Sequence, residues 1–261
     1  MPSAEPFDTH ASAFSDYQRS PWGRLLHDIS GANVQRHLDG QSLRILDAGG
    51  GNGVDAISFA RQGHAVAILD PSVELLDEAR ANAQAAGVIG LMEFHEAELA
   101  AIPGLFPEAR FDVVLCHNVL QYVDDLKAAL AAICGALVPN GVISVMCVNR
   151  YSEAYREALQ QLRPGAALEK LDTKTIFSGV FKTEVKAYAA EEVSEVLQES
   201  GCVVLARYGV RCVFDYIPNN ELKNDPAFFA ELERLEHALT GRYPYYLLAR
   251  FFQLIARKVA A

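Results

Sequence analysis

The sequence predicts an α/β fold built on a doubly wound, mostly parallel sheet. The first observation is an alternation between residues 43 and 148, where short apolar runs of strand length are separated by segments with helical spacing of apolar residues. The second is a glycine-rich turn that connects the first apolar run to a helix. Such an alternation requires right-handed crossovers, which place helices on both faces of a parallel sheet.

The size and composition of the chain fit one globular core with insertions. It has 261 residues, of which 51% are hydrophobic and 21% charged. Its net charge of −10 does not suggest a nucleic-acid binder, although a local basic patch can lie on an acidic body. The five cysteines are isolated in apolar runs, so we expect small core residues rather than disulfides or metal ligands, and no metal is predicted.

The N-terminal segment, residues 1–40, is predicted to be helical apart from its start. Residues 1–12 show no regular pattern and are expected to form a loose tail without a signal peptide. Helical spacing follows over residues 13–38, with a break at Ser20-Pro21. Trp22 in this segment is expected either to cover a ligand or to pack in the core.

The first two predicted strands meet at a candidate ligand site. The strand over residues 43–46 leads into glycines at 49, 51 and 53, and a helix begins at about Asp55. The free N–H groups of that helix point toward the glycine loop. The second strand, 65–69, ends in Asp70, whose carboxylate can accept hydrogen bonds from two ribose hydroxyls. These features predict a pocket for an adenosine-containing cofactor.

The rest of the chain continues the alternation except for one segment. The mixed composition of residues 150–190 predicts an insertion that acts as a lid over the substrate, with its lysines interleaved with acids on a solvated face. The predicted core therefore comprises residues 41–149 and 191–261. Its further predicted elements are helices over 72–86, 126–137, 191–200 and 227–239, and strands over 92–95, 111–116, 142–148, 203–208 and 245–256.

The spacing of the glycines distinguishes two kinds of cofactor. A dinucleotide loop, G-x-G-x-x-G/A, fails from Gly49 because Val54 occupies its last position, and it is met only weakly from Gly51, where that position is Ala56. The pattern Asp-x-Gly-x-Gly-x-Gly is filled without a gap from Asp47 to Gly53. A glycine turn without any ligand is the remaining interpretation.

With this motif the chain resembles the class I S-adenosylmethionine-dependent methyltransferases. The resemblance implies S-adenosylmethionine as cofactor and a seven-stranded Rossmann-like sheet that ends in an antiparallel hairpin. It also implies that residues 1–40 cap the cofactor pocket. Glu98 is expected either to hold the adenine edge or to be an exposed loop acid, and His117 to contact the cofactor or to be structural. The implied cofactor-binding residues are Asp47, Gly49, Gly50, Gly51, Asp70, Ala97, Glu98 and His117.

A closer resemblance extends over nearly the whole chain, to the CmoM family of bacterial tRNA 5-carboxymethoxyuridine methyltransferases. Its more specific matches are His117 with Val119-Leu120, Asn149, Gly209-Val210-Arg211 with Asp215-Tyr216, and Pro244-Tyr245. The resemblance implies that the carboxylate of a modified wobble uridine in tRNA is esterified. It also implies an arginine three residues after the glycine of the N-terminal helix. Leu26 stands there, and Arg24 is the nearest candidate to replace it, on another face of the helix.

The predicted catalytic residues follow from the acceptor. An ionised carboxylate needs no general base, only a cation to position it, for which Arg211 is the first candidate and Arg150 the second. Arg211 in a plain ion pair is the other interpretation. A hydroxyl or amine acceptor would require a proton acceptor, for which His117 is the candidate. Tyr17, Asn149 and Tyr216 are expected to line the acceptor pocket.

Three functional hypotheses are carried forward. The first is a tRNA carboxyl methyltransferase, and the second is a methyltransferase for a small-molecule carboxylate, hydroxyl or amine. The third is a cofactor-binding protein without catalysis. A cytoplasmic location is expected, since no apolar run approaches the length of a membrane span. Oligomeric state is not predicted.

Overall fold

The structure, a computed structural model, describes residues 5–40 and 42–260 and confirms the predicted fold class. Its main sheet has the strand order β3-β2-β1-β4-β5-β9-β8. All neighbouring strands pair in parallel except that β9 runs antiparallel to both β5 and β8. These strands are β1 (Arg44–Ala48), β2 (Ala65–Asp70), β3 (Met92–Glu96), β4 (Phe111–His117), β5 (Leu137–Val148), β8 (Cys202–Val210) and β9 (Phe251–Lys258).

Helices cover both faces of the sheet, which explains why the central strands are apolar on both sides. On one face the core includes Leu130 of α7 and Leu197 of α10. On the other it includes Phe59 of α4 and Leu76 of α5. All five cysteines are free and buried. The helices of the core are α4 (Val54–Ala60), α5 (Val73–Ala85), α6 (Ile102–Leu105), α7 (Leu126–Gly135), α10 (Ala190–Glu199), α11 (Asn220–Lys223) and α12 (Pro226–Leu239).

The N-terminal segment forms three helices, α1 (Glu5–Thr9), α2 (Ala11–Arg19) and α3 (Pro21–Gln35). The predicted break at Ser20-Pro21 is confirmed, because the Ser20 side chain caps α3 by accepting a hydrogen bond from the Gly23 N–H at 3.2 Å. The expectation of a loose tail over residues 1–12 is wrong for the residues after 4, since α1 and α2 occupy them. Residues 1–4 lie outside the described residues.

The insertion over residues 150–190 combines short helices with a β-hairpin. It contains α8 (Ser152–Tyr155), a π-helical turn over Arg156–Gln160 and α9 (Pro164–Glu169). It then forms an antiparallel hairpin of β6 (Thr175–Ser178) and β7 (Thr183–Lys186). Each strand of this hairpin buries one apolar residue, Ile176 in β6 and Val185 in β7, which is too short a signal to detect in the sequence.

Two strand boundaries differ from the prediction. β5 begins at Leu137 rather than at 142, because residues before the Pro-Asn-Gly turn already pair with β4 across a register shift. β9 begins at Phe251 rather than at 245, since Tyr245–Leu248 form a turn of 3-10 helix. The start of β9 pairs with Val148 and Val210, the last residues of β5 and β8. The beginning of β9 therefore lies at the same sheet edge as the carboxyl ends of the parallel strands.

Candidate functional site

A cavity of about 360 Å³ lies along this edge of the sheet. This is the edge at which doubly wound folds bind their ligands. Its walls come from the N-terminal helices, the loops after β1, β2 and β4, the insertion and the loops that flank β8 and β9. The lining includes Phe7, Phe14, Tyr17, Gln18, Leu26, His27, Asp47, Gly49, Gly50, Gly51, Asp55, Asp70, His117, Asn118, Gln121, Tyr122, Arg156, Phe181, Arg211, Asp215 and Arg250.

The glycine loop after β1 leaves no room for side chains. Gly49 has φ 82°, and a Cβ there would lie 2.4 Å from the Val119 Cγ2 atom. A Cβ on Gly50 would lie 2.7 Å from the Asp47 carboxylate. The Gly49 N–H donates to the Leu69 carbonyl at 2.6 Å, which fixes the loop against the end of β2. The loop backbone is therefore open to a ligand on its cavity side.

Asp70 organises the adjoining wall. Its two carboxylate oxygens accept hydrogen bonds from the N–H groups of Gly51 and Ser72, each at 2.9 Å. Burial raises the pKa of Asp70 to about 6, although both backbone hydrogen bonds oppose the shift. Each oxygen keeps a further lone pair, so the carboxylate can still accept hydrogen bonds from ribose hydroxyls.

The wall nearest the glycine loop is rich in unsatisfied acceptors. Asp47 is buried and accepts a hydrogen bond from the Ala56 N–H, but its Oδ2 atom has no partner among the described residues. Burial, and then the charges of Asp55 and Asp70, raise its pKa well above the usual range. In the part of the chain that the structure describes, three more cavity-lining side chains have an oxygen that is buried without a partner: Gln18, Asn118 and Gln121.

These unsatisfied acceptors fit S-adenosylmethionine. Buried acceptors without partners are costly, and a ligand that supplies donors or positive charge would satisfy them. The cofactor carries a cationic amino group and a sulfonium, and its adenosine supplies ribose hydroxyls. Asp47 would hold the amino group, Asp70 the ribose, and the loop Gly49–Gly51 would lie against the ligand backbone.

A hydrogen-bonded chain of side chains runs from the cavity into the core. Asp55, at the start of α4, accepts from the His27 Nδ1 atom at 2.7 Å and from the His117 Nδ1 atom at 2.9 Å. The His117 Nε2 atom lies 2.8 Å from the Ser144 hydroxyl, which in turn accepts from Gln253. Burial would raise the pKa of Asp55, but the charge of His27 and the hydrogen bonds of both imidazoles hold it well below the usual range.

These hydrogen bonds between side chains fix the position of His117. The residue lines the cavity as predicted, and both ring nitrogens have protein partners. A part in proton transfer or cofactor contact therefore requires the ring to exchange one of these hydrogen bonds, and the role stays a prediction.

The loops beside β8 and β9 supply a cluster of guanidinium groups. Arg211 is buried, donates to Asp215 through Nε at 2.7 Å and through Nη2, and donates to the Tyr17 hydroxyl at 2.7 Å. Arg250 and Arg156 both pair with Glu153. Three guanidinium groups thus face two carboxylates, which leaves one unit of positive charge on this wall.

Aromatic rings close the cavity over the glycine loop. This aromatic cap consists of Phe7, Phe14, Tyr122 and Phe181. Phe181, between β6 and β7, lies 5.0 Å from Phe7, 5.3 Å from Phe14 and 5.7 Å from Tyr122, measured between ring centroids. The N-terminal helices and the insertion therefore meet above the site.

Several predicted site residues lie elsewhere. Ala97 and Glu98 do not line the cavity, because Ala97 donates its N–H to the Asp70 carbonyl at 3.1 Å and Glu98 is exposed. Tyr216 is also outside the lining, with its hydroxyl donating to the Leu248 carbonyl. Arg150 lies outside the lining too and pairs with Glu192 at 3.1 Å.

The remaining outcomes concern the N-terminal helix and Asn149. The Trp22 ring packs against Phe214, and the Trp22 carbonyl accepts a hydrogen bond from Arg211. Of its two expected roles, packing in the core is therefore the one observed. Leu26 lines the cavity, whereas Arg24 is exposed and does not. Asn149 is buried outside the cavity and binds the carbonyls of Leu247 and Ala249.

The titratable cavity residues that were missed from the sequence are His27, Asp55, Arg156 and Arg250. Asp55 carried the only signal, an acid in the first turn of a helix that faces a glycine loop. The other three are brought in by contacts between segments far apart in the chain. No group of three or more metal-ligating side chains occurs in the described part of the chain. None of its helices is long and apolar enough to cross a membrane.

The site combines a glycine loop with an acid at a strand end. Together they define a class of protein that binds an adenosine cofactor at the carboxyl edge of a doubly wound sheet. A family described as a methyltransferase domain matches residues 46–145. The tRNA 5-carboxymethoxyuridine methyltransferase of Escherichia coli (strain K12) is 29% identical, over 97% of this chain and 95% of that protein.

Two solved methyltransferase structures share the fold. One, from Listeria monocytogenes, has a TM-score of 0.62 and 15% identity, and the match covers 90% of this chain and 99% of that one. The other is the 1,6-didemethyltoxoflavin-N1-methyltransferase of Burkholderia thailandensis with bound S-adenosylhomocysteine, with a TM-score of 0.59 and 19% identity, covering 96% and 87%. The chain is an S-adenosylmethionine-dependent methyltransferase, and the dinucleotide, ligand-free and non-catalytic interpretations are set aside.

Proposed function

We propose that the protein methylates a carboxylate, and that this carboxylate belongs to 5-carboxymethoxyuridine in tRNA. The observation that carries the proposal is the net positive wall formed by Arg156, Arg211 and Arg250 in an otherwise acidic protein. The similarity to the tRNA 5-carboxymethoxyuridine methyltransferase over 97% of the chain supports the choice of acceptor. A tRNA acceptor would also place the protein in the cytoplasm.

Methyl transfer to a carboxylate requires the protein to position the acceptor, and it requires no general acid or base. S-adenosylmethionine supplies an electrophilic methyl group on a sulfonium. A carboxylate with a reference pKa near ~4 is ionised at pH 7, so no residue has to remove a proton. Arg211 is held by Asp215, the Tyr17 hydroxyl and the Trp22 carbonyl, and it keeps one Nη2 N–H that can orient the acceptor while its own geometry stays fixed. The aromatic cap limits the access of water to the reacting atoms.

A small-molecule carboxylate is the second candidate acceptor. The net charge of −10 is unusual for a protein that must approach tRNA phosphates. Within the insertion, the Lys186 ammonium donates to the carbonyls of Val123 and Asp124, at 2.9 and 2.7 Å, so it is committed to the protein. These observations favour an acceptor that is not attached to a long polyanion such as tRNA.

The acceptor is tested with labelled S-adenosylmethionine and total tRNA from cells that cannot make the methyl ester. We expect label in a base-labile ester of the wobble uridine, lost in Arg211→Met. Labelled small carboxylic acids without labelled tRNA would favour the second candidate. Label in a base-stable N- or O-methyl group would refute a carboxylate acceptor altogether.

A further inference from the structure

We propose that His27 binds the carboxylate of the cofactor's methionyl group, with Asp55 holding its ring in place. The inference concerns the cofactor and not the acceptor, so it stands or falls independently of the tRNA assignment. An amino acid end carries a cationic amino group and an anionic carboxylate on one carbon, so the protein must provide opposite charges a few ångströms apart.

The acidic partner is Asp47, and His27 is linked to it through Asp55. The unpartnered Oδ2 atom of Asp47 offers a buried acceptor to the amino group. Asp55 is close enough for its charge to raise the pKa of Asp47, and it accepts a hydrogen bond from His27 at 2.7 Å. Asp47, Asp55 and His27 all line the cavity, so a cation lies two side chains away from the predicted amino-group site.

The hydrogen bond to Asp55 decides which atom of His27 can meet a ligand. An ionised carboxylate only accepts, so the proton of this bond belongs to the Nδ1 atom of His27. Within the described part of the chain, the Nε2 atom has no hydrogen-bond partner. The side chain is 17% exposed, in the wall of the cavity. A protonated His27 therefore has one N–H donor left for the ligand.

The surroundings of His27 favour its charged form. Burial alone would lower the pKa of His27, but the charge and the hydrogen bond of Asp55, together with the charge of Asp28, raise it above the usual value. The other group on Asp55 is His117, whose second nitrogen is taken by Ser144. Of the two imidazoles, His27 alone has a nitrogen left for a ligand.

Other cations in and near the cavity are less suited. Arg211 and Arg250 flank β8 and β9, which lie four and three strand spacings from β1, and each is paired with an acid. Arg156 shares Glu153 with Arg250. Arg24 is exposed and outside the cavity, and the neighbouring position that does line it is Leu26, which has no charge.

The test compares S-adenosylmethionine with decarboxylated S-adenosylmethionine, which keeps the amino group and the sulfonium. Binding to the full chain is measured by calorimetry at pH 7. We expect the wild type to prefer the carboxylate-bearing ligand by about tenfold or more, as a charge-assisted hydrogen bond implies. His27→Gln should lower the affinity for S-adenosylmethionine by about tenfold and leave the decarboxylated ligand within about twofold.

The control variant is Arg24→Gln, which should change neither affinity. Equal losses for both ligands in His27→Gln would mean a structural role and would overturn the proposal. So would a selective loss in Arg24→Gln. Thermal unfolding shows whether His27→Gln folds. If it does not, the wild type alone still tests the proposal, because equal affinity of the wild type for the two ligands would exclude a residue that binds the carboxylate. Because no acceptor is present, a negative result leaves the proposed tRNA substrate untouched.

Discussion

Replacing Asp215 by asparagine tests whether charge pairing holds the guanidinium cluster in place. Asp215 and Arg211 are 8% and 5% exposed, and both carboxylate oxygens accept from the same guanidinium. Burial would raise the pKa of Asp215, but the charge of Arg211, its hydrogen bonds and the charges of Arg250 and Arg156 lower it. The substitution keeps the shape of the side chain and removes its charge.

The expected cost is about 3 kcal/mol of the free energy of unfolding. Breaking a buried ion pair by removing one partner costs about 3–5 kcal/mol, since the other charge is left uncompensated. The low end applies because Arg211 keeps the Tyr17 hydroxyl and the Trp22 carbonyl as acceptors. At about 2–4 °C per kcal/mol for a protein of this size, the melting temperature should fall by roughly 6–12 °C.

Urea denaturation of the cofactor-free protein measures this loss. The matched control is Glu231→Gln, which removes the acid of an exposed pair with Arg234 and should change stability by less than about 0.5 kcal/mol. Because the folded-state pKa of Asp215 is lowered, its contribution is complete above the unfolded pKa near ~3.9 and is lost only as pH falls through the folded value. The difference between wild type and variant should therefore be equal at pH 8 and pH 5. A loss below about 1 kcal/mol would refute charge pairing as the cause.

Three further predictions concern the cofactor site and the sheet edge. Gly50→Ala should weaken cofactor binding by at least about tenfold in calorimetry, because its Cβ would lie 2.7 Å from the Asp47 carboxylate; Gly104→Ala, where nothing lies within 4 Å, should not. Cofactor affinity should fall by about tenfold from pH 7 to pH 5 through Asp70 alone, since burial raises the pKa of Asp70 to about 6 and ribose hydroxyls need its ionised form; Asp70→Asn should bind weakly and lose this part of the pH dependence. Asn149→Ala should lower the free energy of unfolding by about 2–4 kcal/mol, because it leaves the buried carbonyls of Leu247 and Ala249 without their donor, and a loss near zero in urea denaturation would contradict this.

Much of the fold could be predicted because its signals are local. Alternating apolar runs, the glycine loop and Asp70 at a strand end each lie within a few consecutive residues, and the structure places them as expected. Ser20-Pro21 carried both a capping side chain and a proline at the first helical position. Boundaries were less accurate where a turn sequence lies inside a paired segment, as in β5.

The site could be predicted only on the side that the glycine loop builds. Its other wall depends on pairs that are distant in the sequence, such as Arg211 with Tyr17 and Arg250 with Glu153. No periodicity reports such a contact. The same holds for His27 and Asp55, whose side chains meet because α3 and α4 pack together above β1.

The charges around the cavity bear on which acceptors the protein can methylate. Asp47 and Asp70 lie at the carboxyl ends of β1 and β2, whereas Arg211 and Arg250 flank β8 and β9. The strand order puts β2 and β9 four spacings apart, about 19 Å. A cationic donor and an anionic acceptor can therefore occupy opposite ends. Transfer of a methyl group from a sulfonium to a carboxylate neutralises both charges, and a dry cavity, which stabilises separated charges poorly, favours that step. An ammonium acceptor would instead meet the guanidinium wall with like charge. We therefore expect carboxylates to be preferred over amines, whichever molecule carries them.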